Sequence, residues 1–280
     1  MIKLTTIFAA GLMALGFSAP ALSAGESVHI DRQQWSFAGL FGKFDEHQLQ
    51  RGFQVFRESC AGCHEARLLS FRNLSEHGGP SFSEEQVKAL AAEYEVADPE
   101  AEGGTRKGIS SDRWPGTGQS PSDLAAAFGI VPPDLSVMAK ARTIPSPFPQ
   151  WFFNYFTTYS EGGPDYIYAL LTGYEETPPA DVEVVEGKFY NHVFPGHWIG
   201  MPPQIADGSV AYTDAEGNAA PAEMMTTSQY AKDVSAFLMW MAEPHLNSQK
   251  ESGFRVITFL VLFAVLMWFV KKRIWRNVEH

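Results

Sequence analysis

The sequence is poor in cysteine and poor in positive charge. Two cysteines in 280 residues cannot build the multi-bridge framework of a small secreted domain, and without a second Cys pair a structural zinc site lacks its usual four ligands. Lys and Arg together number 21 against 32 Asp and Glu, a formal charge of -11, which argues against nucleic acid as a partner and, where the charge is clustered, for a basic one. No internal repeat or long low-complexity tract is present. Hydrophobic residues at 45% are ample for a buried core in one large domain or two small ones.

The two cysteines stand together in Cys60-Ala61-Gly62-Cys63-His64. Residues three apart share a helix face, so two thiols at this spacing can each form a thioether to one vinyl group of a single haem, with the following imidazole placed for the iron. A thiol-disulfide redox pair would need only the CxxC and gives no reason for His64. The plainest alternative is a local disulfide or two buried thiols.

Both ends carry long apolar runs. After Lys3, an apolar stretch through Ile7, Leu12, Met13, Leu15 and Phe17 leads to small residues at Ala19-Pro20-Ala21 and Ala24, the pattern of a secretory signal peptide over residues 1–24, with cleavage after Ala21 or Ala24 equally arguable. Loss of Lys3 leaves 20 basic against 32 acidic residues, near -12. At the other end, fifteen uncharged residues from Val256 to Val270 lie between Arg255 and Lys271. With snorkelling cations, the 22 residues from Phe254 to Trp275 suffice for a hydrocarbon core of about 30 Å. Trp268 and Trp275 suit an interface, and Lys271, Lys272, Arg273 and Arg276 place the short tail, 276–280, in the cytoplasm and the 25–250 domain outside.

Between these ends the reading is mostly helical. Asp45 or Glu46 opens a helix with Leu49, Phe53 and Phe56 inward, running into Cys60. Gly52 in its middle costs roughly 1 kcal/mol relative to Ala, which points to close approach of another helix. Ser83 to Gln86 is a capping box for a helix with Val87, Leu90, Ala91 and Tyr94 inward. The acidic residues Glu84, Glu85, Glu93, Glu95, Asp98, Glu100 and Glu102 form either a solvated face or a docking face. Residues 102–133 read as loop with at most a short helix at Asp123 to Phe128. Ile144 to Gly163, rich in proline and aromatics, reads as a second loop. Pro164 and Gly173 bracket a helix over Asp165 to Thr172. Glu183 to Phe194 has strand character without clean alternation. Gln229 to Glu243 reads as an amphipathic helix, with Tyr230, Val234, Phe237, Leu238 and Met241 on one side and Pro244 as its stop.

If His64 is one axial ligand, the sixth position decides between electron transfer and ligand chemistry. Of nine methionines, Met1 and Met13 go with the signal, Met267 lies in the span, Met239 and Met241 read as core filler, Met224 and Met225 lie in a polar loop, and Met138 follows the Pro133 turn. Met201 differs, since Gly200 permits close backbone approach and Pro202-Pro203 stiffen the loop on its far side. His192 and His197 are rivals, because imidazole also binds iron.

CAGCH after an amphipathic helix, VPPDLSVMAKAR (Val131 to Arg142), DYIYALLTGY (Asp165 to Tyr174), FPGHWIGMPPQI (Phe194 to Ile205) and SQYAKDVSAFLMWMAEP (Ser228 to Pro244), followed by one span, together resemble the cytochrome c1 family. The resemblance covers roughly Phe37 to Trp275. It implies a mainly α fold, the c-type cytochrome fold with long loop insertions plus one C-terminal transmembrane helix. It implies one covalent haem c on Cys60 and Cys63, with His64 and Met201 as axial ligands. Pro133 would turn its carbonyl to the imidazole N–H of His64, while Arg142 and Tyr166 would face the haem propionates; otherwise these two are a surface Arg and a core Tyr. The implied role is a non-quinone-binding electron carrier beside cytochrome b and the Rieske iron-sulfur subunit, in a bacterial inner membrane with the domain in the periplasm. It would take single electrons from the Rieske protein and hand them to a soluble c-type cytochrome, expected to be basic from the acidic excess here. The rival functional class is a membrane-tethered haem peroxidase or gas sensor with an open sixth position, and the proline- and aromatic-rich stretch Thr143 to Gly163 departs from the family's compact pattern.

Overall fold

A computed structural model describes residues 28–180, 182–213 and 217–277; the stretch expected to be a signal peptide, 1–24, and the last three residues of the expected tail fall outside the described residues. The first helix, α1 (Glu46–Val55), is capped by Asp45, whose carboxylate accepts the Gln48 N–H, and it buries Leu49, Gly52, Phe53 and Val55. It runs on into a π-helical turn, Phe56–Cys60. Such wide turns collect at functional sites, and here the turn delivers Cys60. A 3-10 turn follows at Phe71–Ser75, then α2 (Glu84–Ala92), where Ser83 and Gln86 form the expected reciprocal cap and Val87 and Ala91 are buried.

Loops fill much of the middle. Strands β1 (Glu95–Ala97) and β2 (Thr105–Lys107) pair antiparallel. The loop is closed by Arg106, whose guanidinium donates to both oxygens of Asp112 and to Asp98. Helix α3 (Pro121–Phe128) begins on the Ser120 cap and ends at Gly129 in the left-handed conformation, two residues ahead of the short helix anticipated there. Helix α4 (Met138–Ala141) is a single turn.

The expected second loop needs correction. The stretch 144–163 is not all loop, because Gln150–Thr157 forms helix α5, with none of its residues buried. Prolines at 145, 147 and 149 precede it rather than interrupt it, and proline is tolerated where a helix starts. Helix α6 (Gly162–Thr172) begins before Pro164. The strand-like stretch reduces to β3 (Phe189–Tyr190), paired antiparallel with β4 (Trp198–Ile199).

Helix α7 (Thr227–Ala242) is the centre of the core. It is buried nearly all round from Tyr230 to Met241, including Asp233 and Ser235, where the pattern suggests one apolar face. The reason is that α1, α4 and α6 all pack on it. At the α1 crossing, a Cβ added to Gly52 would stand 2.1 Å from the Asp233 carbonyl oxygen, so the glycine marks a close helix contact. Beside that contact Phe53, Phe56, Trp114 and Phe237 meet with ring centroids 5.5–5.8 Å apart, an aromatic cluster typical of buried rings. Helix α8 (Leu246–Ile274) leaves the domain, and its apolar portion is unburied and long enough to cross a membrane.

Candidate haem site

The π turn and its exit set the first side of the site. Ala61 N–H donates to Phe56 O at 2.8 Å, and the Cys63 and His64 N–H groups both reach Cys60 O, at 3.1 and 3.0 Å. The chain therefore coils tightly through the CxxCH, bringing Cys60, Cys63 and His64 to one cavity wall. Burial first, and the neighbouring Cys63 second, push the Cys60 thiol up to about 12. A thiol-exchange centre is favoured by the opposite shift, toward thiolate.

The loop before α4 holds this wall in place. His64 Nδ1 lies 2.7 Å from Pro133 O. Neighbouring bonds fasten the same two segments: Leu135 N–H to Glu65 O at 2.8 Å, Arg67 N–H to Asp134 Oδ2 at 3.0 Å, and Leu68 N–H to Ser136 Oγ at 3.0 Å. Burial works against the Asp134 charge, yet hydrogen bonds from Ser136 and Arg67 hold its carboxyl below the usual range. With a backbone carbonyl as partner, Nδ1 carries the proton and Nε2 is left as a lone-pair donor. Burial also lowers the His64 pKa, against the upward pull of the Pro133 bond, favouring the neutral ring that a metal requires.

Opposite sequence regions complete the cavity, whose volume is about 320 Å³. Met201 comes to it on the loop after β4, together with Gly200 and Ile205. That loop is pinned by the Tyr174 hydroxyl, which donates to Met201 O at 2.9 Å. Arg142 and Tyr166 both line the cavity; Arg142 is exposed and Tyr166 half-buried. Apart from these and a few other polar groups, the lining is aliphatic and aromatic, so water is a poor competitor inside it.

The rival histidines go elsewhere. His192 is exposed, its Nδ1 3.2 Å from a Glu175 carboxylate oxygen. His197 sits at φ +63° and stacks on Tyr190 at 5.7 Å, its Nδ1 buried without a hydrogen-bond partner. Neither lines the cavity. Two contributors escape a reading of the sequence: Tyr174, whose one signal is its place at the end of the DYIYALLTGY run, and α3, whose Phe128 reaches the cavity rim.

The donor set suits a haem: two vinyl-reactive sulfurs, one oriented imidazole, one thioether and an apolar slot, with a guanidinium and a phenol for carboxylates. Residues 35–278 match the Cytochrome C1 family. The chain belongs to the cytochrome c1 family. Among its relatives, the cytochrome c1 of Blastochloris viridis is 46% identical, covering 96% of this chain and 93% of its own. A protein of Bradyrhizobium diazoefficiens named cytochrome b/c1 is 45% identical over 97% of this chain, which spans 39% of that longer protein's length. A Candida albicans protein named cytochrome b-c1 complex catalytic subunit, mitochondrial, is 38% identical over 94% of this chain. Membership in the cytochrome c1 family brings with it a haem, an electron-transfer role and a mainly helical fold, and among the described residues α8 supplies a single candidate membrane anchor.

Proposed function

We propose that this chain carries one covalent haem c on Cys60 and Cys63, with His64 and Met201 as the axial ligands, and relays single electrons from a Rieske iron-sulfur protein to a soluble c-type cytochrome. The observation that carries the proposal is the convergence of Cys60, Cys63, His64 and Met201 on one apolar cavity from opposite ends of the domain's sequence. When bound, the haem supplies a one-electron ferric/ferrous couple.

The chain's own residues do the rest. Pro133 O orients the His64 ring and raises its basicity through Nδ1. Tyr174 anchors the Met201 backbone, so the thioether is offered from a braced loop. Arg142 and Tyr166, on the cavity wall, would face the propionate carboxylates, which a guanidinium can pair. The apolar lining keeps water from the iron, and a thioether ligand raises the potential relative to two imidazoles.

The relatives named for the cytochrome b-c1 complex and for cytochrome b/c1 support cytochrome b as a partner, and the Rieske subunit is the electron donor that this reading adds. On this reading residues 1–24 are an export signal, 25–250 a periplasmic domain, 254–275 a bacterial inner-membrane anchor and 276–280 a cytoplasmic tail; the cations after the span support that orientation. The chain binds no quinone and is not an enzyme by itself.

Replacing Met201 by Leu tests the assignment. The expected result is a lower reduction potential and new carbon monoxide binding in the reduced-minus-oxidised spectrum of the purified chain. If native protein already binds carbon monoxide, or the variant's spectrum is unchanged, the tethered peroxidase or sensor reading replaces this one.

A further inference from the structure

The aromatic stretch that the haem site leaves unused is built for lipid. Residues 143–160 contain no charged side chain, although the chain as a whole is strongly acidic. Helix α5 and its approach expose Phe148 and Tyr155 at 76% each and Phe156 at 72%, with Trp151, Phe152 and Phe153 about half open. Contiguous exposed apolar surface of this kind marks a contact with protein or membrane. A mixture of Trp, Tyr and Phe without charge is the composition of the membrane-water interface.

The fold ties this stretch to the mouth of the membrane span. Arg32 donates to Asn154 at 3.0 Å and lies 3.7 Å over the Tyr159 ring. Asp165 accepts from the Tyr159 hydroxyl and from Trp35 Nε1. Trp35 stacks on Phe37 at 5.4 Å, and the Phe37 carbonyl accepts from Lys250 of α8. One helical turn later, Phe254 opens the apolar span and meets Phe41, itself 71% exposed, at 5.5 Å. The segment 31–44 thus runs from α5, which it meets at Arg32, to the start of the apolar part of α8, which it meets at Phe37 and Phe41.

We propose that residues 148–156 form a second membrane contact, an interfacial element whose aromatic side chains enter the headgroup layer beside the entry of α8. It rests on α8 crossing the bilayer and on no assignment at the iron. Held at two places rather than one, the domain keeps a set tilt over the membrane instead of swinging on α8.

Single variants Phe152→Cys, Tyr155→Cys and Phe156→Cys, made in the full haem-loaded chain and labelled with an environment-sensitive fluorophore, test this in phosphatidylcholine nanodiscs with and without shallow doxyl-labelled lipid. A label at Glu85→Cys, on exposed α2, is the aqueous reference. Each variant is first checked for the native haem spectrum, so misfolded protein is set aside. The expected result is blue-shifted emission and at least twofold stronger lipid quenching at two or more of the three sites than at Glu85. Quenching equal to the reference at all three sites overturns the proposal. So does quenching that is lost when the chain is assembled with cytochrome b, because the patch is then a protein interface.

Discussion

Asp233 is the most heavily bonded side chain of the core. Its carboxylate, fully buried, accepts from Arg51, Gln48, Gln229 and Tyr212 at 2.8–3.2 Å. Removing one partner of a buried ion pair leaves the other uncompensated. Asp233→Ala is therefore expected to destabilise the domain by about 3 kcal/mol, at the low end for such pairs because Arg51 keeps part of its surface in water; chemical denaturation of the haem-loaded chain measures it. Gly52 gives a complementary case. Helix propensity alone favours alanine there by about 1 kcal/mol, but the new methyl would collide with the Asp233 carbonyl, itself backbone. Gly52→Ala should lose rather than gain stability, by about 1–3 kcal/mol as overpacking does, and a rise in the denaturation midpoint would refute the close crossing. Gly52, Cys60, Cys63, His64 and Met201 are legible as single residues because each breaks a local rule. Tyr174 is not, since a tyrosine near a helix end looks the same whether or not its hydroxyl braces a distant loop.

Elements with their own punctuation read well. The Asp45 and Ser83 caps and the end of α7 all stand where capping chemistry places them. Helix α5 reads as loop because its signal is unusual: eight residues behind three prolines, none of them buried. A water-facing helix needs a polar face, so an aromatic one is hidden until its environment is known. Its burial is what the lipid-quenching measurement would supply. The one-sided pattern expected of α7 fails for a related reason. A helix packed by three neighbours is buried on faces that carry polar residues such as Asp233 and Ser235, and such groups are usually met there by hydrogen bonds, as Asp233 is.

On the scale of the molecule, the acidic excess is partly spent inside the fold. Glu93 pairs with Arg57, Glu84 with Lys88, and Asp98 with Arg106, whereas Glu85, Glu95, Glu100 and Glu102 form no ion pair among the described residues. On the proposed function, steering of a basic electron acceptor would rest on the second group. Its rate should fall steeply as ionic strength rises past 0.1 M, where the screening length is ~10 Å; stopped-flow electron transfer indifferent to salt would remove the acidic surface from docking. The sequence by itself determined the CxxCH motif, the candidate span and the helical class, because each is written in spacing or in an uninterrupted apolar run. Only the tertiary structure decided that Met201 rather than His192 or His197 reaches the cavity wall, that Pro133 meets His64, and that segment 31–44 touches both the aromatic stretch and the start of α8. Those are meetings of segments far apart in the chain, and their free energy comes from packing around α7, which no local pattern records.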